Sequence, residues 1–132
     1  MTIQEIKKQR QDSTNKLLDE CGVFFAFSNE QFEKNKTPLQ PDEKYVSIGA
    51  GGYMPKSKAE QLKQGFKDIE KQYREAIKQN KQLRKDNILY ELNNHEAFYT
   101  GEIEDTLNAL GAGYTRKEVL AVFWEKQNEV NS

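Results

Sequence analysis

Between Leu62 and Leu83 the apolar residues Leu62, Phe66, Ile69, Tyr73, Ala76 and Leu83 are separated by four, three, four, three and seven positions. That is the period of a helix with one apolar face. Ser57 and Glu60 stand three apart just before it, the spacing at which a hydroxyl and a carboxylate each satisfy a free N–H of a first helical turn. The pattern predicts one helix from 57 to about 83 or 85, roughly 40 Å long at 1.5 Å per residue. Asn80 fills the missing step, as a polar residue at a core position of a heptad seam. Three heptads are marginal for a free coiled coil, so the expectation is a helix packed along its own domain.

The chain around that helix has 132 residues, which places it as a single domain spanning 1–132. Only 36% of residues are apolar, yet aromatics reach 11%, too many for a wholly disordered chain. No apolar run approaches the length of a transmembrane helix, and the first residues lack the apolar stretch of a secretory signal. Cys21 is the only cysteine, which excludes an internal disulfide and a cysteine-based zinc finger. A soluble, cytoplasmic protein without contact to membranes is expected.

The remaining elements follow from local pattern. Residues 2–20 read as an N-terminal helix with Thr2 and Glu5 at capping-box spacing. Its apolar positions are Ile3, Ile6, Leu17 and Leu18, so its polar middle, Lys7–Lys16, offers no core face and is expected to fray or lie exposed. The aromatic run 22–27 reads as a buried strand, and Ser28 with Gln31 opens a short helix to about Asn35. Pro38 and Pro41 make 37–43 a loop. Residues 44–48 alternate polar and apolar as a half-buried strand, and Gly49–Pro55 reads as a glycine-rich loop. Asn87–Tyr99 is helical, either continuing the long helix or breaking from it near Asp86–Asn87. Thr100 is placed to cap a further helix with Ile103, Leu107 and Leu110 on its face, stopped by Gly111–Gly113. Thr115 and Glu118 cap a last helix to about Asn128. The expected fold class is α+β and mostly helical, with a small two-stranded element within 22–55 packed on the long helix and a helical part from 57 to 130.

Charge is unevenly distributed although the net charge is −1. Residues 57–86 carry nine Lys/Arg against five Asp/Glu, a local +4, and residues 87–132 carry three against eight, a local −5. These segments can attract each other or something external. Within the first, Lys63, Lys67, Lys71, Arg74, Lys78, Lys81 and Lys85 fall on one face of a continuous helix, within an arc of about 80°. They form either a solvated face with local ion pairs or a track for phosphates or an acidic protein.

The glycine loop is a second candidate. Gly49, Gly51 and Gly52, followed by Lys56 and a helix start, give the setting in which backbone N–H groups hold an anion. The spacing matches neither a P-loop, because Pro55 stands where the glycine belongs, nor a dinucleotide loop, because position 54 is Met. A turn requiring positive φ is the competing reading. Glu91 and His95, at i and i+4, share a helix face and could ligate a metal with a third ligand such as Glu102 or Asp105. A lone histidine beside a carboxylate is more commonly a hydrogen-bonded residue. Cys21 and His95 carry no context that joins them as nucleophile and base, and no catalytic residue or cofactor is expected.

The last helix holds six consecutive apolar residues, Val119 to Trp124, too many for one stripe. Val119, Leu120 and Phe123 share a face, expected to pack on Leu62, Phe66, Ile69 and Tyr73. Trp124 then either closes the core or stays partly accessible at the edge, where it could anchor a partner or a second copy of the chain.

Two stretches carry a resemblance. One is Phe25-Ala26-Phe27-Ser28-Asn29-Glu30-Gln31-Phe32 with Val46-Ser47-Ile48-Gly49-Ala50-Gly51-Gly52. The other is Leu92-Asn93-Asn94-His95-Glu96 with Thr100-Gly101-Glu102-Ile103-Glu104-Asp105 and Ala109-Leu110-Gly111. Over roughly residues 21–111 the chain resembles small uncharacterised proteins of bacteriophages and bacterial mobile elements. The resemblance implies a bacterial or phage cytoplasmic setting and no catalytic assignment. The expected function is that of a non-enzymatic accessory protein binding another macromolecule, a protein in preference to nucleic acid because the chain is nearly neutral. The alternatives are nucleic-acid binding by the basic helix and phosphate or small-molecule binding by Gly49–Gly52.

Overall fold

The computed structural model describes residues 1–131. It divides into two units, residues 4–74 and residues 75 onward together with the first three. Each has its own apolar cluster.

In the first unit, α1 (Ile3–Glu20) is continuous through its polar middle. The face missing from the apolar pattern is built from long polar side chains. The Arg10 guanidinium lies 3.8 Å from the centroid of the Tyr73 ring, and Lys7 Nζ donates to the Tyr73 hydroxyl at 2.9 Å. Both residues are half-buried there, with their cationic groups against the aromatic ring. Nearer its end, Leu17 packs into α3 (Ala59–Lys78) at Gly65, where a Cβ would stand 2.5 Å from a Leu17 methyl. The inward stripe of α3 therefore runs through Leu62, Gly65, Ile69 and Tyr73, and Phe66 turns outward, 39% exposed. Leu17, Cys21, Met54 and Leu62 form the buried cluster, joined by Val46 and Ile69.

The sheet has three antiparallel strands in the order β1-β3-β2, with β1 at Phe24–Phe25, β2 at Tyr45–Gly49 and β3 at Gly52–Pro55. The segment Gly49–Pro55 is thus not one loop. Gly49, Ala50 and Gly51 turn with φ of 87°, 52° and 79°, and the chain returns as the central strand. Glycine at the start and proline at the end of β3 are weak strand formers, and its pairing on both sides overrides them. The run 22–27 is also not a wholly buried strand. Phe24 is buried and pairs with Tyr53, while Phe25 faces out and pairs with Gly52. Phe24, Phe32, Tyr45 and Tyr53 pack mostly edge to face, with centroids 5.1–5.8 Å apart. Phe32 comes from α2 (Asn29–Asn35), which opens as expected: Gln31 N–H donates to Ser28 Oγ at 3.1 Å. Ser57, expected to cap α3, instead donates its hydroxyl to the Glu43 carboxylate and lies in a single 3₁₀ turn, Lys56–Lys58.

The long helix is interrupted. It stops at Lys78, and α4 (Lys81–Asn94) starts afresh with Asn80 as its cap. The Asn80 side chain accepts from the N–H groups of Gln82 and Leu83 at 2.9 and 3.1 Å. Asn80 is therefore not a polar member of a heptad seam. An amide that satisfies two orphan N–H groups favours a new start over continuation. Ala76, read as part of the seam, is exposed, and Ile77 is buried in its place.

After α4 come α5 (Ala97–Thr100), α6 (Glu104–Leu110) and α7 (Arg116–Asn131). Thr100 does not cap α6. Its hydroxyl accepts from Glu102 N–H at 3.1 Å, and the helix begins two residues later. Gly111 ends α6 at φ 75°, as glycine permits. Ile88, Leu92, Ala97, Ile103, Val119, Val122 and Phe123 form the cluster of this unit. The apolar face of α7 therefore packs on residues of α4, α5 and α6. The expected partners Leu62 and Ile69 belong to the other cluster. The restart at Lys81 resets the helical phase, so the usable stripe of the second segment is Ile88 and Leu92. The fold is α+β and mostly helical, with three strands rather than two.

Candidate interaction surfaces

The most exposed aromatic residue of the first unit is Phe27, 77% accessible, in the segment read as buried. It is nevertheless held. Its backbone N–H donates to Gln31 Oε1 at 2.8 Å, and Ala26 N–H donates to Gly51 O at 2.9 Å. Its ring lies on Gly51, where a Cβ would come within 2.3 Å of Phe27 Cε1. Gly52 is covered by Ile48 in the same way, at 2.8 Å from a Cβ, and faces Phe25 across the ladder. Phe25 and Ile48 are 48% and 41% exposed. Three large apolar side chains thus gather around Gly51–Gly52 at the hairpin end. The alternation within Phe24-Phe25-Ala26-Phe27 was the available signal, since a half-buried strand must turn every second residue outward.

The glycines themselves close a hairpin, and β3 separates them from the first helical residue. The setting of a glycine loop running into a helix start is therefore not the one that Gly49, Gly51, Gly52 and Lys56 occupy. Lys56 N–H donates to Lys44 O at 2.8 Å, at the far end of the β2–β3 ladder.

On the second unit, Trp124 is 56% exposed and meets Phe123 edge to face at 5.2 Å, with Phe123 stacked on Phe98 behind it. The indole lies at the edge of the core and does not close it.

The seven cations of the expected stripe do not share one helix. Lys63, Lys67, Lys71, Arg74 and Lys78 are exposed along α3, whereas Lys81 and Lys85 follow the restart on α4. Lys85 is tied to Glu125 at 2.7 Å, and that carboxylate raises its ammonium above the ordinary lysine range.

Glu91 and His95 do meet, with His95 Nε2 3.3 Å from Glu91 Oε2 at the end of α4. Among the described residues no group of three His, Cys, Asp or Glu could hold a metal ion. Cys21 is fully buried, and burial pushes its thiol up, away from the thiolate that a nucleophile requires. It packs in the cluster of the first unit, while His95 belongs to the second.

Fold and surfaces together define a small, mostly helical α+β protein that displays ordered aromatic residues on both units. No described helix is long and apolar enough to cross a membrane. The chain belongs to a family of unknown function, DUF7659, which matches residues 3–127. No curated protein and no solved structure matches it.

Proposed function

We propose that this chain is a non-enzymatic binding protein that docks another protein on the apolar hairpin end formed by Phe25, Phe27 and Ile48. The observation that carries this reading is the Phe27 ring, solvent-exposed yet fixed on Gly51. A large aromatic side chain already held in one position loses little freedom when a partner covers it, which is the property of an interface anchor. Trp124 offers a second, separate anchor. The setting we propose is the cytoplasm of a bacterium or its phage, as an accessory protein of a mobile element. That part rests on the sequence resemblance over roughly residues 21–111.

The test is affinity capture from a bacterial lysate by wild type and by Phe27→Ser, each with and without nuclease. A protein that survives nuclease, is lost with Phe27→Ser and rebinds wild type when purified supports the reading. Equal capture by both forms removes the hairpin end as the docking site. Sedimentation of the purified chain distinguishes a second copy as occupant, because association that Phe27→Ser abolishes would make the contact homotypic.

A further inference from the structure

Along α3 the cations Lys63, Lys67, Lys71 and Arg74 follow one another at intervals of four, four and three residues. At 100° per residue they fall within an arc of about 80° and span roughly 16 Å of the helix. All four are exposed. A helix face that is merely solvated gains from alternating signs at i and i+4. Like charges at that spacing cost a few tenths of a kcal/mol per pair. Here Lys63, Lys67 and Lys71 repeat the same sign over two successive i, i+4 steps. Two of the carboxylates that could relieve them are turned to other groups. Glu70 lies 3.5 Å from Arg10 and 3.9 Å from Arg74, and Asp68 accepts from Gln64 Nε2 at 3.0 Å. Among the described residues no carboxylate forms an ion pair with Lys63, Lys67 or Lys71. Glu60, in the first turn of α3, and Glu75, one turn after Lys71, are further acidic residues near this arc, and Glu70 lies on the wheel between the arc and Phe66.

Beside the lysines stands Phe66, displaced from the core stripe by Gly65 and 39% exposed. An aromatic face at the margin of a row of cations is the arrangement that stacks an unpaired base while the cations follow the phosphates. The choice of lysine points the same way. Carboxylate partners are best met by the bidentate fork of arginine, and lysine is depleted at protein–protein interfaces, whereas point charges suffice for a phosphate backbone. We infer that the Lys63–Lys67–Lys71–Arg74 face of α3, with Phe66 at its edge, binds single-stranded nucleic acid through its phosphates, without sequence preference. The residues differ from those of the hairpin end, so this inference and the proposed protein contact stand or fall separately.

The experiment is fluorescence anisotropy of a labelled oligothymidylate with the full chain, from 50 to 200 mM salt. Neutralising three to four phosphates on a single strand predicts a slope of log affinity against log salt of about −2 to −3. That corresponds to a roughly 20- to 50-fold loss over this range. The double variant Lys67→Glu/Lys71→Glu should lower affinity at 50 mM at least about tenfold, with circular dichroism unchanged, because both residues are exposed. If that variant loses helix content, Lys67→Gln/Lys71→Gln provides the comparison and should still flatten the slope. Phe66→Ala should weaken binding roughly tenfold and leave the slope unaltered. Absence of binding at 50 mM, binding indifferent to the lysine substitutions, or equal binding of poly-glutamate would each overturn the inference. The last outcome would assign the face to an acidic protein.

Discussion

Arg84 holds the Glu118 carboxylate through two guanidinium nitrogens, Nη2 at 2.8 Å and Nε on the second oxygen, while its planar face lies 4.1 Å from the Tyr114 ring centroid. The same guanidinium donates to Gly113 O. One side chain from α4 thereby fixes the turn between α6 and α7 and the first turn of α7. Removing it should cost about 1.5–3 kcal/mol, the range for hydrogen bonds to a charged group. Arg84→Met keeps the stem and removes the fork. The lowered urea midpoint should be matched by Glu118→Gln, and the double variant should be less destabilised than the sum of the two.

The same pair gives a pH dependence. Hydrogen bonds from Arg84, then its charge, then the Thr115 N–H hold the Glu118 carboxyl below its usual range, against the opposing effect of burial. The unfolded chain therefore takes up this proton at higher pH than the folded one. The stabilisation is complete above the ordinary glutamate value of about 4.3 and disappears as pH falls through the depressed folded value. Between pH 6 and acid conditions, wild type should lose more stability than Glu118→Gln. Parallel curves would contradict the assignment.

Asn80 distinguishes a helix cap from a seam position. As the cap of α4 it should lose about 1 kcal/mol on change to alanine. Asn80→Leu should also destabilise, although leucine at a heptad core position would stabilise. Thermal melts of the two variants decide between the readings, and a higher midpoint for Asn80→Leu would restore the continuous helix.

Gly65 is a point of close approach. Valine there would set its side chain against Leu17, and overpacking of this kind costs about 1–3 kcal/mol. In an open helix the same change would be favourable, since valine outranks glycine in helix propensity. Gly65→Val should therefore lower the melting temperature, and the double variant with Leu17→Ala should be less destabilised than the sum of the two single changes.

Trp124, half in solvent, should contribute little to the stability of the chain by itself. Trp124→Ala is expected to cost less than about 1 kcal/mol, against about 3–5 for a core aromatic. The wild-type emission should be red-shifted and open to iodide. Blue-shifted, protected emission would place the indole inside.

Helix identities were readable where local chemistry decides them: Ser28 with Gln31 and Thr115 with Glu118 cap where their spacing says. The errors arose where tertiary pairing decides. β3 is a strand because β1 and β2 flank it, and its own glycine and proline argue otherwise. The inward stripe of α3 passes through Gly65 because Leu17 needs the space, a demand made by a residue 48 positions earlier. Arg10 and Lys7 supply a packing face to α1 that no count of apolar residues registers. Asn80 fitted a seven-residue period by coincidence, and its side chain chose the backbone instead. For the surfaces, the apolar run at 119–124 holds more apolar residues than one stripe buries, and Trp124 is left 56% exposed, whereas Phe27 was hidden because aromatic residues in a short run resemble core until the pleat assigns them sides.

The complete burial of Cys21 equips the chain with a built-in clock. A maleimide or disulfide reagent can reach that sulfur only when the cluster of Leu17, Met54 and Leu62 opens, so its labelling rate counts openings of residues 4–74. The single tryptophan lies in the other unit and reports there by fluorescence. With no engineered label, one urea series followed by both signals measures whether the two units melt as one cooperative body or in succession.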